Sequence, residues 1–540
     1  MSANNPTTVD SISHAASGES SLTLTSAIEQ SLKRFQDRVA IEIDNEQYTF
    51  EELDKRSNTV ANALIERGVN PGDRVAIMMS NCIEYVVADL ALLKIGAVKL
   101  PLNDMLTEDE FEYMLSDSRA STAIAGPNFI STLDHLDDRV EAIDRRIGIA
   151  DEVPDSFERF AVLEDEGDGQ QSPDIGVSPE DPCGHFYTGG TTGDPKGVIH
   201  SQDNFLTCMY SHLMELDITS RDTLLLMTPL PHSAGAMLWA ALLAGSKTVV
   251  RDGFNPRQAL SDIEDGVTWT FLVPTMIYTV LDHPDLEETD TSSLETLVYG
   301  AAPMTPARLR EGIEAFGHVF IQFYGQTEVP NVITVLDKED HRIALESGNE
   351  HRLSSAGQPT LMADVKINDP DGDGRKPRGE EGEIMATAPY VLNEYWEQPE
   401  KTEETVENGW VHTGDIGKRD EDGFVYLLDR KSNMIISGGM NVYSTEVEEA
   451  LAAHPKINQV AVIGVPDEKW GEAVTAIIVP TEGDAVDKTN IKNFADDELA
   501  DYKKPKDIEF VDELPKTPYG KIDKKALREP YWEEEGRDIS

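Results

Sequence analysis

The chain has 540 residues, with 46 Lys or Arg against 100 Asp or Glu and a formal net charge of −54. Hydrophobic residues at 39 % and charged residues at 27 % are enough for a large buried core and exclude global disorder. One net negative charge per ten residues repels phosphate backbones and anionic lipid heads, which argues against a nucleic-acid binder and a membrane-surface protein.

Residues 1–22 read as a disordered tail, rich in Ser, Thr and Asn, without the basic start or apolar stretch of a secretory signal. The spacing of Leu53, Val60, Ala61, Leu64 and Ile65 predicts a helix over 50–67, closed by Gly68. Val75–Met79 reads as a buried strand and 83–95 as a helix ending at Gly96. The same rhythm returns with strands at 248–250, 269–273 and 319–323, which predicts α/β layers around parallel strands. Residues 164–182 read as a polar connector. From about residue 360 the texture changes: 369–374 is turn chemistry, and 383–386 and 424–428 read as strands of a more antiparallel unit. A last α+β piece starts near 429, with a helix carrying Val447, Ala450 and Leu451 and strands at 460–465, 474–479 and 508–511.

Cys82, Cys183 and Cys208 are odd in number and too far apart for a disulfide framework or a zinc knuckle. No apolar run reaches the ~18 residues of a membrane span. The acidic excess is tolerable where salt screens it, since the Debye length falls to roughly 3 Å at about 1 M salt. These features predict a soluble protein of a salt-adapted cytoplasm, with the oligomeric state left open.

The most informative stretch is Tyr187-Thr188-Gly189-Gly190-Thr191-Thr192-Gly193-Asp194-Pro195-Lys196-Gly197. Its glycines let backbone N–H groups approach an anion, while the threonines and Lys196 add donors and charge. It is not a Walker A loop, because Pro195 falls where the second glycine belongs. Phe323-Tyr324-Gly325-Gln326-Thr327-Glu328 offers an aromatic face, a hydroxyl and a carboxylate suited to Mg²⁺. His412-Thr413-Gly414-Asp415-Ile416-Gly417 places a carboxylate in a turn. Each segment alone reads equally well as an ordinary loop. A serine-hydrolase elbow is excluded at 229–235, where Pro231 occupies the required glycine position.

Taken in order, these segments resemble the adenylate-forming superfamily of acyl-CoA synthetases, luciferases and peptide-synthetase adenylation domains. LPHSAGA (230–236), YGAAP (299–303), the hinge region LLDRKSNMIISGGMNVYSTEVE and PKTPYGKI (515–522) complete the set, and the resemblance covers about residues 25–530. It implies a large multi-layer α/β N-terminal adenylation domain over 23–429, a hinge at 430–432 and a smaller, mobile α+β C-terminal domain over 433–540. It implies a two-step reaction: a carboxylate, most readily a fatty acid, attacks the α-phosphate of ATP to give acyl-adenylate and pyrophosphate, and CoA then displaces AMP. An aryl-acid CoA ligase, a carrier-protein ligase and a non-catalytic nucleotide-binding regulator are the alternatives.

By resemblance, Thr188, Gly189, Gly190, Thr191, Thr192, Gly193 and Lys196 hold the β- and γ-phosphates. Glu328 places Mg²⁺ and Thr327 meets the α-phosphate. Gly300, Ala301, Ala302, Tyr324, Gly325 and Gln326 form the adenine side, with Asp415 and Arg430 on the ribose. His232 lies at the acyl substrate, Ser432 is the pivot, and Ser437, Gly438 and Gly439 meet the pantetheine arm of CoA. Lys521 reaches across from the C-terminal domain to the reacting phosphate. Two departures stand out: Gly189 replaces a common serine, and Asp429 stands where many members have glycine.

Overall fold

The computed structural model of the chain describes residues 22–188, 195–370, 374–467, 469–481, 487–517 and 522–533. Two large sheets dominate the first 360 residues. One has nine strands, its interior built from the parallel neighbours Phe320–Tyr324, Thr296–Tyr299, Trp269–Leu272, Thr223–Leu226 and Lys247–Val250. The other has eight, with Arg74–Met78 flanked in parallel by Val98–Leu102 and Thr122–Ala125. Both contain the strands expected from the βα rhythm, and strands covered on both faces read as continuous apolar runs for that reason.

Helix Ile83–Ile95 spans the expected residues. It ends where Gly96 takes φ +73°, a conformation that costs a residue with a Cβ roughly 1–2 kcal/mol. Twelve of its thirteen residues are buried, so it is a core helix and shows no polar face. Lys94 and Asp89 lie within that core. The Lys94 ammonium is bonded to Asp54 Oδ1 at 2.6 Å, Ser57 Oγ at 2.8 Å and Asn58 Oδ1 at 2.6 Å. Asp89 accepts from Lys99 at 2.8 Å and from the Trp239 indole at 3.0 Å, and the Lys99 ammonium lies 3.8 Å over the Trp239 ring.

Helix Phe50–Glu66 opens with a capping box in which Thr49 and Glu52 exchange hydrogen bonds. The connector expected from residue 164 begins later, because helix Phe160–Glu166 continues through its first residues. Phe160 and Leu163 bury one stripe of that helix, while Glu164 and Glu166 turn outward to pair with Arg56 at 2.7 Å and Arg67 at 2.9 Å.

Between residues 360 and 430 the strands become antiparallel, as the change of texture implies, whereas Asp507–Phe510 further on pairs parallel with Gly471–Pro480. Asp364–Asn368, Glu381–Thr387, Trp410–Arg419 and Val425–Arg430 form a five-stranded sheet with Val406–Glu407. A short turn, Lys431–Asn433, leads into the last unit, where Ile457–Asp467 and Gly471–Pro480 form a long hairpin under helix Ser444–Ala452. The protein is an α/β chain with a large N-terminal and a smaller C-terminal domain.

Candidate active site

Strands Pro182–Thr188 and Lys196–Ser201, which flank the glycine–threonine stretch in sequence, pair antiparallel, with Thr188 opposite Lys196 and Tyr187 opposite Gly197. Gly189, Gly190, Thr191, Thr192 and Gly193 lie outside the described residues. The base of the loop is braced from below. Tyr113 donates to the Pro195 carbonyl at 3.1 Å, and Tyr187 donates to Asp117 Oδ2 at 2.6 Å. Trp396 binds the same region twice, through its indole to the Asp117 carbonyl at 3.0 Å and through its backbone N–H to the Gly197 carbonyl at 2.7 Å. The His185 ring stacks on Tyr187 with centroids 4.9 Å apart, and a Cβ on Gly197 would sit 1.9 Å from His185 Nε2. Only glycine fits there. Burial holds the Lys196 ammonium below its usual range; Lys401 adds to that effect and Glu328 opposes it.

The Glu328 loop follows strand Phe320–Tyr324 and turns back through Gln326 N–H to the Val329 carbonyl at 3.2 Å. It is tied to the paired strands Pro182–Thr188 and Lys196–Ser201 by two routes. His200, buried on the strand that begins at Lys196, meets the Thr327 carbonyl through Nε2 at 2.8 Å. Burial lowers this ring to about 4, so it is neutral at physiological pH and its Nε2 carries the donated proton. The second route is Tyr395, whose hydroxyl donates to Glu328 Oε1 at 2.7 Å while the Lys196 ammonium lies 5.2 Å from its ring centroid.

In the segment expected on the adenine side, strand Thr296–Tyr299 ends at Gly300, which is buried, whereas Ala301 and Ala302 are exposed. Ala301 takes φ +65°, a left-handed conformation that concentrates at functional sites in non-glycine residues. Tyr324 is buried, and its hydroxyl donates to Asp415 Oδ2 at 2.5 Å. Gln326 Nε2 donates to the same oxygen at 2.7 Å and to the Thr413 carbonyl at 2.8 Å. Burial first, and then the Asp415 charge, push the Tyr324 phenol well above its usual range, so it stays a donor. Arg430, opposite Asp415 in the strand register, pairs with Oδ1 at 2.7 Å. Asp415 is 6 % exposed and Arg430 49 %, so the guanidinium is the partner able to move away.

His232 is exposed and breaks the helical dihedrals of Leu230–Ala234, with φ −113° and ψ −148°. Beside it, Ser233 donates to Asn331 Oδ1 at 2.9 Å, Asn331 Nδ2 meets His212 Nε2 at 2.9 Å, and His212 Nδ1 meets the Cys208 carbonyl at 2.8 Å. Asn81 fixes the segment by accepting from the Leu230 N–H at 2.9 Å and donating to the Thr228 carbonyl at 3.0 Å.

At the junction, Ser432 sits in the turn Lys431–Asn433, and its carbonyl accepts from Arg528 at 2.6 Å. Ser437 is buried on strand Ile435–Ser437, and Gly438-Gly439 turn the chain into Met440–Val442. Lys521 lies outside the described residues. Asp429 receives a structural reason: its Oδ2 accepts from the Ser444 hydroxyl at 2.7 Å and the Thr445 N–H at 3.4 Å, so it caps helix Ser444–Ala452 from the far side of the turn Lys431–Asn433.

A profile of the AMP-binding enzyme family matches residues 28–396, more than half of the chain. The chain belongs to that family. The profile of the AMP-binding enzyme C-terminal domain matches residues 446–521. This AMP-binding enzyme is 37 % identical over 522 residues to the medium/long-chain-fatty-acid–CoA ligase FadD8 of Mycobacterium tuberculosis, a span of 94 % of this chain and 90 % of that protein. It is 37 % identical over 483 residues to a feruloyl-CoA synthase of Amycolatopsis, covering 89 % of this chain and 93 % of the relative. Among solved structures, MatB of Rhodopseudomonas palustris is 30 % identical and covers 94 % of this chain and 99 % of its own, with a TM-score of 0.85 when bound to ATP and 0.74 in its apo form. The AMP-binding enzyme is an AMP-forming acyl-CoA synthetase.

The sequence reading missed Tyr395, His200, Asp117 and Trp396. No local motif marks them, because what each touches comes from a distant segment: Tyr395 lies opposite Val198 in an edge strand of the eight-stranded sheet, and Asp117 comes from helix Glu108–Ser118. Asp429 departs from the family pattern in sequence, and its partner helix becomes visible only in three dimensions.

Proposed function

We infer that this AMP-binding enzyme activates a fatty acid, with the residue roles that the resemblance implies. The observation that carries the reading is the bonding of three motifs into one constellation. His200 and Tyr395 join the phosphate-loop hairpin to Thr327 and Glu328, while Tyr324 and Gln326 join the same loop to Asp415. Charge neutralisation and alignment are what a reaction between two anions needs most.

In this reading Thr188, Thr191, Thr192 and Lys196 hold the β- and γ-phosphates against Gly189, Gly190 and Gly193, and Thr327 orients the α-phosphate. Asp415 takes the ribose hydroxyls as Arg430 yields, and Tyr324 with Gly300, Ala301, Ala302, Gly325 and Gln326 bounds the adenine. His232 lies beside the carboxylate. Lys521 enters from the C-terminal domain in the first step, and Ser437, Gly438 and Gly439 meet CoA in the second after a turn about Ser432. The higher likeness to ATP-bound than to apo MatB supports a domain arrangement of the adenylating kind.

Glu328 is the residue that would hold Mg²⁺. Among the described residues no group of three or more His, Cys, Asp or Glu could hold a metal, and one carboxylate completed by substrate phosphates suits Mg²⁺. The ion, when bound with ATP, supplies neutralisation of phosphate charge. No helix among the described residues is long and apolar enough to cross a membrane, and the charge of −54 supports a salt-rich cytoplasm as the setting.

A second reading, an aryl acid, is favoured by the polar chain Ser233–Asn331–His212 beside His232, which an alkyl tail leaves unused. Acid-dependent pyrophosphate release, measured in molar KCl across alkyl and aryl carboxylates with and without CoA, tests both. Release with long alkyl acids supports the first reading. Release only with aryl acids supports the second, and no release with any acid refutes adenylation.

A further inference from the structure

The reading of Glu328 as the metal carboxylate leaves a question that geometry answers. Lys196 and Glu328 serve opposite partners, the triphosphate and its cation, and both must be available when the nucleotide arrives. Two such side chains at one site attract each other, and a closed pair would remove both from use. Among the described residues they form no ion pair.

Tyr395 stands between them. Its hydroxyl engages Oε1 of Glu328 at 2.7 Å, and its ring faces the Lys196 ammonium at 5.2 Å, within cation–π range. The side chain is 3 % exposed, and its own backbone N–H is fixed by Thr402 Oγ1 at 2.9 Å. The flanking backbone holds both charged partners as well: Leu392 N–H donates to the Glu328 carbonyl at 2.8 Å, and Trp396 N–H to the Gly197 carbonyl at 2.7 Å. The segment 392–396 is thus pinned to the Glu328 loop on one side and the Lys196 strand on the other.

We propose that Tyr395 is a positioning residue that keeps Lys196 and Glu328 apart and orients the Glu328 carboxylate for the cation that accompanies ATP. The hydroxyl takes Oε1 and leaves Oε2 for the metal, while the ring supplies the lysine with a neutral resting partner. This rests on the reading of Glu328 as a metal ligand, and the experiment separates the two.

The probe is Mn²⁺, followed by its electron paramagnetic resonance signal, titrated into the full chain with a non-hydrolysable ATP analogue in molar KCl. Tyr395→Phe keeps the ring and volume and removes the hydroxyl. It is expected to weaken Mn²⁺ binding about 10- to 100-fold, the usual cost of losing a partner behind a metal ligand. Analogue affinity in EDTA and conversion of supplied acyl-adenylate to thioester should stay at parental values. Tyr395→Leu, which also removes the ring, should in addition weaken analogue binding in EDTA. If Glu328→Gln loses Mn²⁺ while Tyr395→Phe binds it as the parent does, the proposal falls and the metal reading stands. If Glu328→Gln leaves Mn²⁺ binding intact, both fall. A Tyr395→Phe protein that melts lower but binds Mn²⁺ normally shows a packing role only and overturns the proposal.

Discussion

Four histidine rings are buried in the large domain, and each is held neutral by desolvation: His185 is lowered to about 3, and His200, His212 and His341 to about 4. The unfolded chain binds protons at these rings near their ordinary value of 6.5, whereas the fold does not. Their contribution is therefore complete above about pH 6.5 and is lost as pH falls toward 4. At about pH 5.5 each ring costs about 1.4 kcal/mol, so four cost about 5–6 kcal/mol. Asp340, raised to about 6 mainly by burial, works in the opposite sense, and after allowance for solvent screening it offsets less than ~1 kcal/mol. With an unfolding entropy of ~2.1 cal/mol/K per residue over about 400 residues, the melting temperature of the large domain should fall by about 6 °C between about pH 7.5 and about pH 5.5. Differential scanning calorimetry in molar KCl, where surface self-repulsion is screened, reads this directly. His341→Gln, which replaces a ring bonded to the Tyr299 hydroxyl at 3.0 Å, should melt lower throughout but show a slope reduced by about one proton in four. A parent melting temperature flat across this range, or an unchanged slope in the variant, would refute the assignment of neutral buried rings.

Lys521→Ala should lose acid-dependent pyrophosphate release by orders of magnitude yet convert supplied acyl-adenylate to thioester; equal loss of both half-reactions removes its assigned role. Asp89→Ala leaves the Lys99 ammonium buried without its carboxylate, so denaturant unfolding should show a loss of about 3–5 kcal/mol, and a loss under ~1 kcal/mol contradicts the buried-pair account. Dialysis from molar KCl into dilute buffer should lower the melting temperature, since a charge of −54 then repels itself unscreened; indifference to KCl counts against salt adaptation.

Much of the architecture was readable from residue patterns because local physics decides it. Helix Ile83–Ile95 ends at Gly96 since the chain there needs a positive φ, and the strands of the two large sheets are apolar runs bounded by helix ends. The family was legible for a related reason: the glycine–threonine stretch and the other motifs follow one another in one order along the chain, and the family model matches residues 28–396. Sheet order is not a local property. The approach of Tyr395 to Lys196 depends on a two-residue edge strand finding Lys196–Ser201, and the tie from His200 to Thr327 depends on two different sheets meeting. The last turn of helix Phe160–Glu166 falls inside the stretch expected to be connector, because Glu164, Asp165 and Glu166 carry no apolar signal of their own.

Asp429 lies in strand Val425–Arg430, ahead of the turn Lys431–Asn433, while the groups it caps, Ser444 and Thr445, lie beyond that turn. Any rotation about residues 430–432 that separates them strips the helix of this cap, a penalty of about 0.5–2 kcal/mol. Where glycine stands at this position no such toll exists. If the C-terminal unit turns about that segment, the side chain weights a door: the present setting is the resting one, and the other needs a push from bound ligand.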